Sequence, residues 1–237
     1  MAHGPQPIGP PVPGWTPRAA PPRSPMPGRD CRVEPLDVER HAAALHAANA
    51  LAPDHRAWTY LSADGFDDLA GYTAWLRGCA SGDDPLFHAI VDAASGEAVG
   101  LAAYLRIDRG NGVIEVGHLN FSPRLQRTRA ATEAMFLMMR RAFDELGYRR
   151  YEWKCDSLNE PSRRAAGRLG FVFEGVFRQA VVYKGRSRDT AWFSIVDGEW
   201  PALREAYRQW LDPANFDAAG QQRRRLGELI VEARGRA

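Results

Sequence analysis

The run LQRTRAATEAMFLMMRRAFDELG, residues 125–147, constrains this chain most. Its apolar residues recur at helical spacing over residues 130–146, and Gly147 is a natural C-terminal stop. Met135, Leu137, Met138 and Met139 read as helix core. The start of this helix is unusual. Gln126, Arg127, Thr128 and Arg129 carry donor side chains, followed by Ala130, Ala131 and Thr132. A helix N-terminus presents unpaired N–H groups and partial positive charge, so such a start suits a phosphate. Taken alone, a plain cap with a solvated basic turn is the favoured explanation. Strand-like segments flank the helix: NGVIEVGHLNFSP, ending at Pro123, and YRRYEWKCDS, whose Tyr151 and Trp153 alternate as strand packing. A long helix set between strands points to a mixed α/β domain.

The other segments fit that class. Residues 31–34 form a short strand broken by Pro35, and an alanine-rich helix follows over 38–50. GFDDLAGYTAWLRGCAS is a second helix with Leu69, Tyr72, Trp75 and Leu76 on one face. Two apolar runs around AASGE predict a β-hairpin. NEPSRRAAGRLG is a short helix closed by Gly170, and residues 171–197 hold two or three strands with a KGR turn. Helices over 200–210 and 217–233 complete the order β-α-α-β-β-β-α-β-α-β-β, with neither a repeat nor a second core. The expected division is a flexible Pro/Gly-rich tail at 1–30, one domain at 31–200 and a helical extension at 201–237.

Composition narrows the function. A net charge of +2 over 237 residues gives no general pull toward nucleic acid or anionic membrane. No run of about 18 apolar residues suggests a membrane span, and the N-terminus lacks the apolar region of a secretory signal. Three scattered cysteines without a CxxC pair suggest neither a zinc site nor a disulfide framework. The expectation is a cytoplasmic protein with no metal. The arginine run at 223–225 reads as a solvated helix face.

Two motifs at fixed order carry the functional reading. The first is the helix start, Gln126-Arg127-Thr128-Arg129-Ala130-Ala131 followed by Thr132-Glu133-Ala134. The second is Asn159-x-x-Ser162 leading to Leu169-Gly170-Phe171. With IEVGHL before them and KGRSRDTAWFSI after, this order resembles the GNAT superfamily of acyl-CoA N-acyltransferases. It is closest to the RimJ/RimL-like branch, whose members acetylate protein N-termini, amino acids and other small amines. The resemblance covers residues 32–200. It implies a mixed, mostly antiparallel sheet splayed at the acyl-CoA site, flanked by helices and followed here by extra C-terminal helices.

The resemblance also implies a chemistry: an amine attacks the thioester of acetyl-CoA directly. Gln126, Arg127, Thr128, Arg129, Ala130, Ala131 and Thr132 would bind the cofactor, the backbone N–H groups of Arg127 to Ala131 holding the pyrophosphate. Leu119, Asn120 and Phe121 would bind the pantetheine arm, and Asn159 and Ser162 would complete the cofactor site. Three departures stand out. Arg129 occupies the family's middle glycine, Ala166 stands where many members carry a tyrosine general acid, and Val181 where some carry a glutamate. Glu115 on the central strand is the candidate base, with pairing to Arg106 as the equal alternative. His118 is a second candidate base, and it shares a face with Glu115 only if a bulge at Gly117 intervenes. Ser162 is the candidate proton donor to the thiolate, with helix capping as its plain role. A homodimer is compatible with this reading. The alternative function is a GNAT-fold protein that binds acyl-CoA without turnover.

Overall fold

The computed structural model describes residues 6–235. Eight strands form one sheet: β1 (Met26–Pro27), β2 (Cys31–Pro35), β3 (Leu86–Asp92), β4 (Ala98–Asp108), β5 (Val113–Phe121), β6 (Arg150–Asp156), β7 (Val172–Tyr183) and β8 (Arg186–Val196). Their spatial order is β1-β2-β3-β4-β5-β6-β8-β7. Every neighbouring pair is antiparallel except β5–β6. Six α-helices flank the sheet: α1 (Val38–Asn49), α2 (Leu69–Ala80), α3 (Arg129–Arg140), α4 (Glu160–Arg168), α5 (Trp200–Leu211) and α6 (Leu226–Gly235).

Period-two alternation divides the core. Phe87, Ala89 and Val91 of β3 face α1 and α2, while Leu86 and Ile90 face the α3 side. Both faces are covered, which is why β3 and β4 read as nearly continuous apolar runs. The larger core joins α3 to α5 and α6. Phe136 stacks on Tyr207 at 5.4 Å and on Trp200 at 6.0 Å. The helices expected as an extension after residue 200 therefore share the core of the domain. Gly170 closes α4 at φ +93°, and a Cβ there would lie 2.6 Å from Leu203. At the far edge β7 has one free side and leaves Phe173, Phe177 and Val182 exposed.

Three expectations need correction. The segment expected as a free tail is bound from Trp15 onward; only residues 1–5 lie outside the described part. Trp15 Nε1 donates to Gly110 O at 2.8 Å, and Tyr148 Oη donates to Ala19 O at 3.1 Å. Arg141 donates to Ser24 O at 2.6 Å and Pro25 O at 3.1 Å, and Met26, 1% exposed, pairs with Val33. Proline lacks an N–H but keeps its carbonyl, so a Pro-rich segment can still be held as an acceptor. Secondly, the long helix is regular only to Arg140, and residues 141–145 widen into a π turn. Thirdly, α6 begins at Leu226, not 217, because Asp217 Oδ1 accepts from the N–H groups of Ala219 and Gln221 and fixes a turn there. On α2, Tyr72 and Leu76 are buried as expected, but Leu69, in its first turn, is exposed.

Candidate active site

The sheet opens between β5 and β6. Their parallel pairing covers only residues 113–116 against 150–153. Beyond it, β5 continues beside β4 and β6 continues beside β8. The part of β5 at residues 117–121 thus has one edge unpaired, with main-chain groups facing a cleft. A cavity of about 250 Å³ fills it.

His118 owes its place to a bulge. Ala103 pairs with Gly117 but Leu101 pairs with Asn120, so β5 carries one residue more than β4 across this interval. His118 absorbs it at φ +49°. The bulge brings His118 and Glu115 to the same cavity. The His118 ring lies 5.0 Å from Phe87 and has no hydrogen bond among the described residues. Burial, with a smaller contribution from Arg106, lowers its pKa below the ordinary histidine value. This favours the neutral imidazole, which keeps a free lone pair.

Glu115 is differently engaged. It is 3% exposed, and Arg106 Nη1 lies 2.8 Å from both of its oxygens. Lys154 Nζ lies 2.9 Å from it and 2.7 Å from Glu152. The chain of charges continues through Arg150 to Glu174, whose carboxyl Arg150 holds down to about 2. Of the two expectations for Glu115, the pairing with Arg106 is present.

Asn159 is the N-cap of α4, its Oδ1 accepting from Ser162 N at 3.1 Å. Ser162 Oγ accepts from Trp153 Nε1 at 2.9 Å. Asn159, Ser162 and Leu119 line the cavity with Cys155. The side chain of Asn120 is buried with neither amide atom bonded, and Phe121 O accepts from Gln126 Nε2 at 2.7 Å. Ala166, at the family's tyrosine position, is wholly buried.

The start of α3 is an open cradle. Thr128 is the N-cap, accepting from Ala131 N at 3.1 Å. The backbone N–H groups of Arg127, Arg129 and Ala130 have no partner among the described residues. The left-handed position is Arg127, at φ +61°, and not Arg129, which is the first residue of the helix. Arg129 instead pairs with Asp30 at 3.0 Å and lies over Phe216 at 4.8 Å. Its side chain is therefore committed away from the three open N–H groups. Thr132 Oγ1 accepts from Arg168 at 3.1 Å, and Glu133 accepts the backbone N–H groups of Arg29, Asp30 and Cys31.

Sequence reasoning missed the outer walls of the cavity. Residues 57–62 form one wall, and Tyr60 Oη reaches Leu158 O at 3.1 Å. The β7–β8 hairpin supplies Val181, Tyr183 and Arg188. Its Lys184 clips to Trp58 O at 2.9 Å and to Asp64 at 2.9 Å. Tyr183 Oη donates to Asp156 Oδ2 at 2.9 Å, and burial with that bond raises its pKa to about 12. The sequence named Val181 only as a departure from the family pattern and marked the KGR turn, without placing either at the cavity.

Comparison with known proteins gives the family and the fold. Residues 32–172 match the model of the acetyltransferase (GNAT) domain. The chain belongs to the GNAT family. A GCN5-related N-acetyltransferase from Brucella melitensis is 50% identical, with a TM-score of 0.91 over 93% of this chain and 100% of that one. A probable GNAT-family acetyltransferase from Chromobacterium violaceum ATCC 12472 is 42% identical, with a TM-score of 0.76 over 84% of this chain and 100% of that one. Microcin C7 self immunity acetyltransferase MccE, solved with acetyl-CoA and AMP, is 18% identical with a TM-score of 0.59 over 71% of this GNAT chain and 93% of that one, a likeness of fold. No curated protein gives a significant match. Among the described residues no helix of this acetyltransferase-family chain is long and apolar enough to cross a membrane.

Proposed function

We propose that the chain is a cytoplasmic N-acetyltransferase of the RimJ/RimL-like branch, moving an acetyl group from acetyl-CoA directly to a primary amine. One observation carries this reading: the cleft where β5 and β6 part holds an uncharged, unbonded His118 and lies at the end of β5 that leads to the three open N–H groups beginning α3. The pyrophosphate suits that cradle, where helix dipole and N–H groups act together. The pantetheine amides suit the unpaired edge of β5 at residues 117–121, as an added strand would.

The amine nitrogen attacks the thioester carbonyl carbon, the C–S bond breaks, and CoA leaves as thiolate. His118 takes the proton from nitrogen. It is preferred to Glu115, whose two oxygens already face Arg106 and Lys154. Ser162 takes the Trp153 N–H on its oxygen and keeps its own O–H, which can donate a hydrogen bond to the departing thiolate, while the proton taken by His118 passes on to solvent. The second reading, binding without turnover, draws on the buried Ala166, which leaves the family's tyrosine acid unreplaced at that position. Release of free CoA with a panel of amines, alongside thermal stabilisation by acetyl-CoA, separates the two. Stabilisation without CoA release supports the second reading, and neither effect rejects both.

A further inference from the structure

Resting on the acetyltransferase reading, we propose that the acceptor is a small amine that also carries a carboxylate, as a free amino acid does, and that Arg188 binds that carboxylate. The charges lining the cavity are Arg106, Lys154 and Arg188 against Glu115 and Asp156, which leaves one positive charge in excess. Both carboxylates already have partners. Glu115 faces Arg106 and Lys154. Asp156 accepts the Tyr183 hydroxyl at 2.9 Å and the Leu158 N–H at 2.9 Å. A polyamine or other polycation would meet this excess of positive charge and no carboxylate without a hydrogen-bonding partner.

The cations differ among themselves. Arg106 is spent on Glu115. Lys154 is shared between Glu115 and Glu152 and lies 3.8 Å over the Trp192 ring. Arg188 pairs with no carboxylate among the described residues. Its Nε donates to Thr190 Oγ1 at 3.1 Å, which fixes the guanidinium plane and leaves both terminal amino groups open. Such a fork matches the two oxygens of a carboxylate.

Position supports the same acceptor. Arg188 stands directly opposite Val181 in the β7–β8 ladder, on the cavity wall. The hairpin tip is tied across to residues 58 and 64 by Lys184, and Tyr60 ties the same segment to Leu158. These clips narrow the approach to the cavity, which favours a small acceptor over an extended chain.

The test uses the full chain with acetyl-CoA and matched acceptors: leucine and phenylalanine, their C-terminal amides, and spermidine, with products read by mass. The expected result is kcat/KM about 10–100-fold higher for the acids than for the amides or spermidine. The amide's amine is the less basic of each pair, so a larger neutral fraction cannot produce that preference. Arg188→Gln should erase the gap by raising KM for the acids while leaving the Kd for acetyl-CoA unchanged, and Arg188→Lys should restore part of it. Amides or spermidine turned over as well as the acids would overturn the proposal, as would a gap that survives in Arg188→Gln. So would no turnover of any acceptor while acetyl-CoA still stabilises the fold. Absence of both turnover and stabilisation would instead reject the acetyltransferase reading itself. Should Arg188→Gln not fold, the acid-to-amide ratio of the unmodified chain decides alone.

Discussion

The ammonium of Lys154 lies 2.9 Å from the carboxylate of Glu115, and both side chains are less than a tenth exposed. Removing the charge of Glu115 leaves Lys154 with Glu152 alone and Arg106 with no partner in the cavity. Lys154 keeps one buried partner and Arg106 is more than half exposed, so neither cation is left buried and alone. Glu115→Gln should therefore lower stability by about 1–2 kcal/mol. Its kcat should stay within about tenfold of the unmodified enzyme, since general-base loss costs more. A fall of a hundredfold in a variant that melts normally would make Glu115 the base after all.

His118 carries the opposite expectation. His118→Gln should lower kcat by about 10²–10⁴-fold, with the Kd for acetyl-CoA nearly unchanged. Burial and Arg106 disfavour the imidazolium, so the base is lost only when pH falls through a pKa below the usual histidine value. The acid limb of kcat/KM, corrected for ionisation of the acceptor, should lie below about 6.5 and vanish in the variant. An unchanged acid limb would assign that titration to another group.

Legibility in the sequence followed the range of the interactions. The helix over Met135 and Met139, the hairpin around residues 93–97 and the N-cap at Asn159 were readable because each rests on neighbours within about four positions. Gly117 hinted at the bulge, but the left-handed residue is His118. The closing walls were not readable. Lys184 meets Trp58 across 126 positions and Tyr60 meets Leu158 across 98, and no local pattern encodes either. Glu133 read as part of a family motif, yet its carboxylate gathers three N–H groups from residues 29–31.

That bound segment gives a truncation test. Residues 6–14 are exposed, so removing residues 2–14 should change stability by no more than about 0.5 kcal/mol. Removing residues 2–27 takes away buried Met26 and both backbone acceptors of the buried Arg141, leaving it Glu145 alone. The expected loss is at least about 3 kcal/mol, or about 10 °C in Tm for a chain of this size. Equal melting of the two truncations would show that residues 15–27 contribute nothing.

His88 makes the fold sensitive to acid. It is fully buried, with Nδ1 3.1 Å from Leu86 O and Nε2 unpartnered, and burial pushes its pKa down to about 4. The unfolded chain then binds a proton near pH 6.5 that the folded chain refuses until about pH 4. Stability from this residue is complete above 6.5 and falls as pH drops between those values, by about 3 kcal/mol in all. Denaturant titrations across this window should show that slope, and His88→Gln should flatten it. A slope that persists in the variant would belong to other groups.

The start of α3 offers a test in which stability and binding move in opposite directions. Arg127 holds φ +61°, a conformation that glycine adopts freely and aspartate tolerates better than arginine. Arg127→Gly should raise stability by about 0.5–1 kcal/mol and leave acetyl-CoA binding within about threefold, because the backbone N–H groups remain. Arg127→Asp should also keep or raise stability, since a carboxylate there complements the positive end of the helix. The same carboxylate would stand where the pyrophosphate is to sit, and at moderate salt it should weaken acetyl-CoA binding by about tenfold or more. Raising the salt should narrow that deficit, as screening does for exposed charges. If Arg127→Asp binds acetyl-CoA as tightly as the unmodified chain at low salt, the phosphates lie elsewhere and the open N–H groups of Arg127, Arg129 and Ala130 serve only the helix.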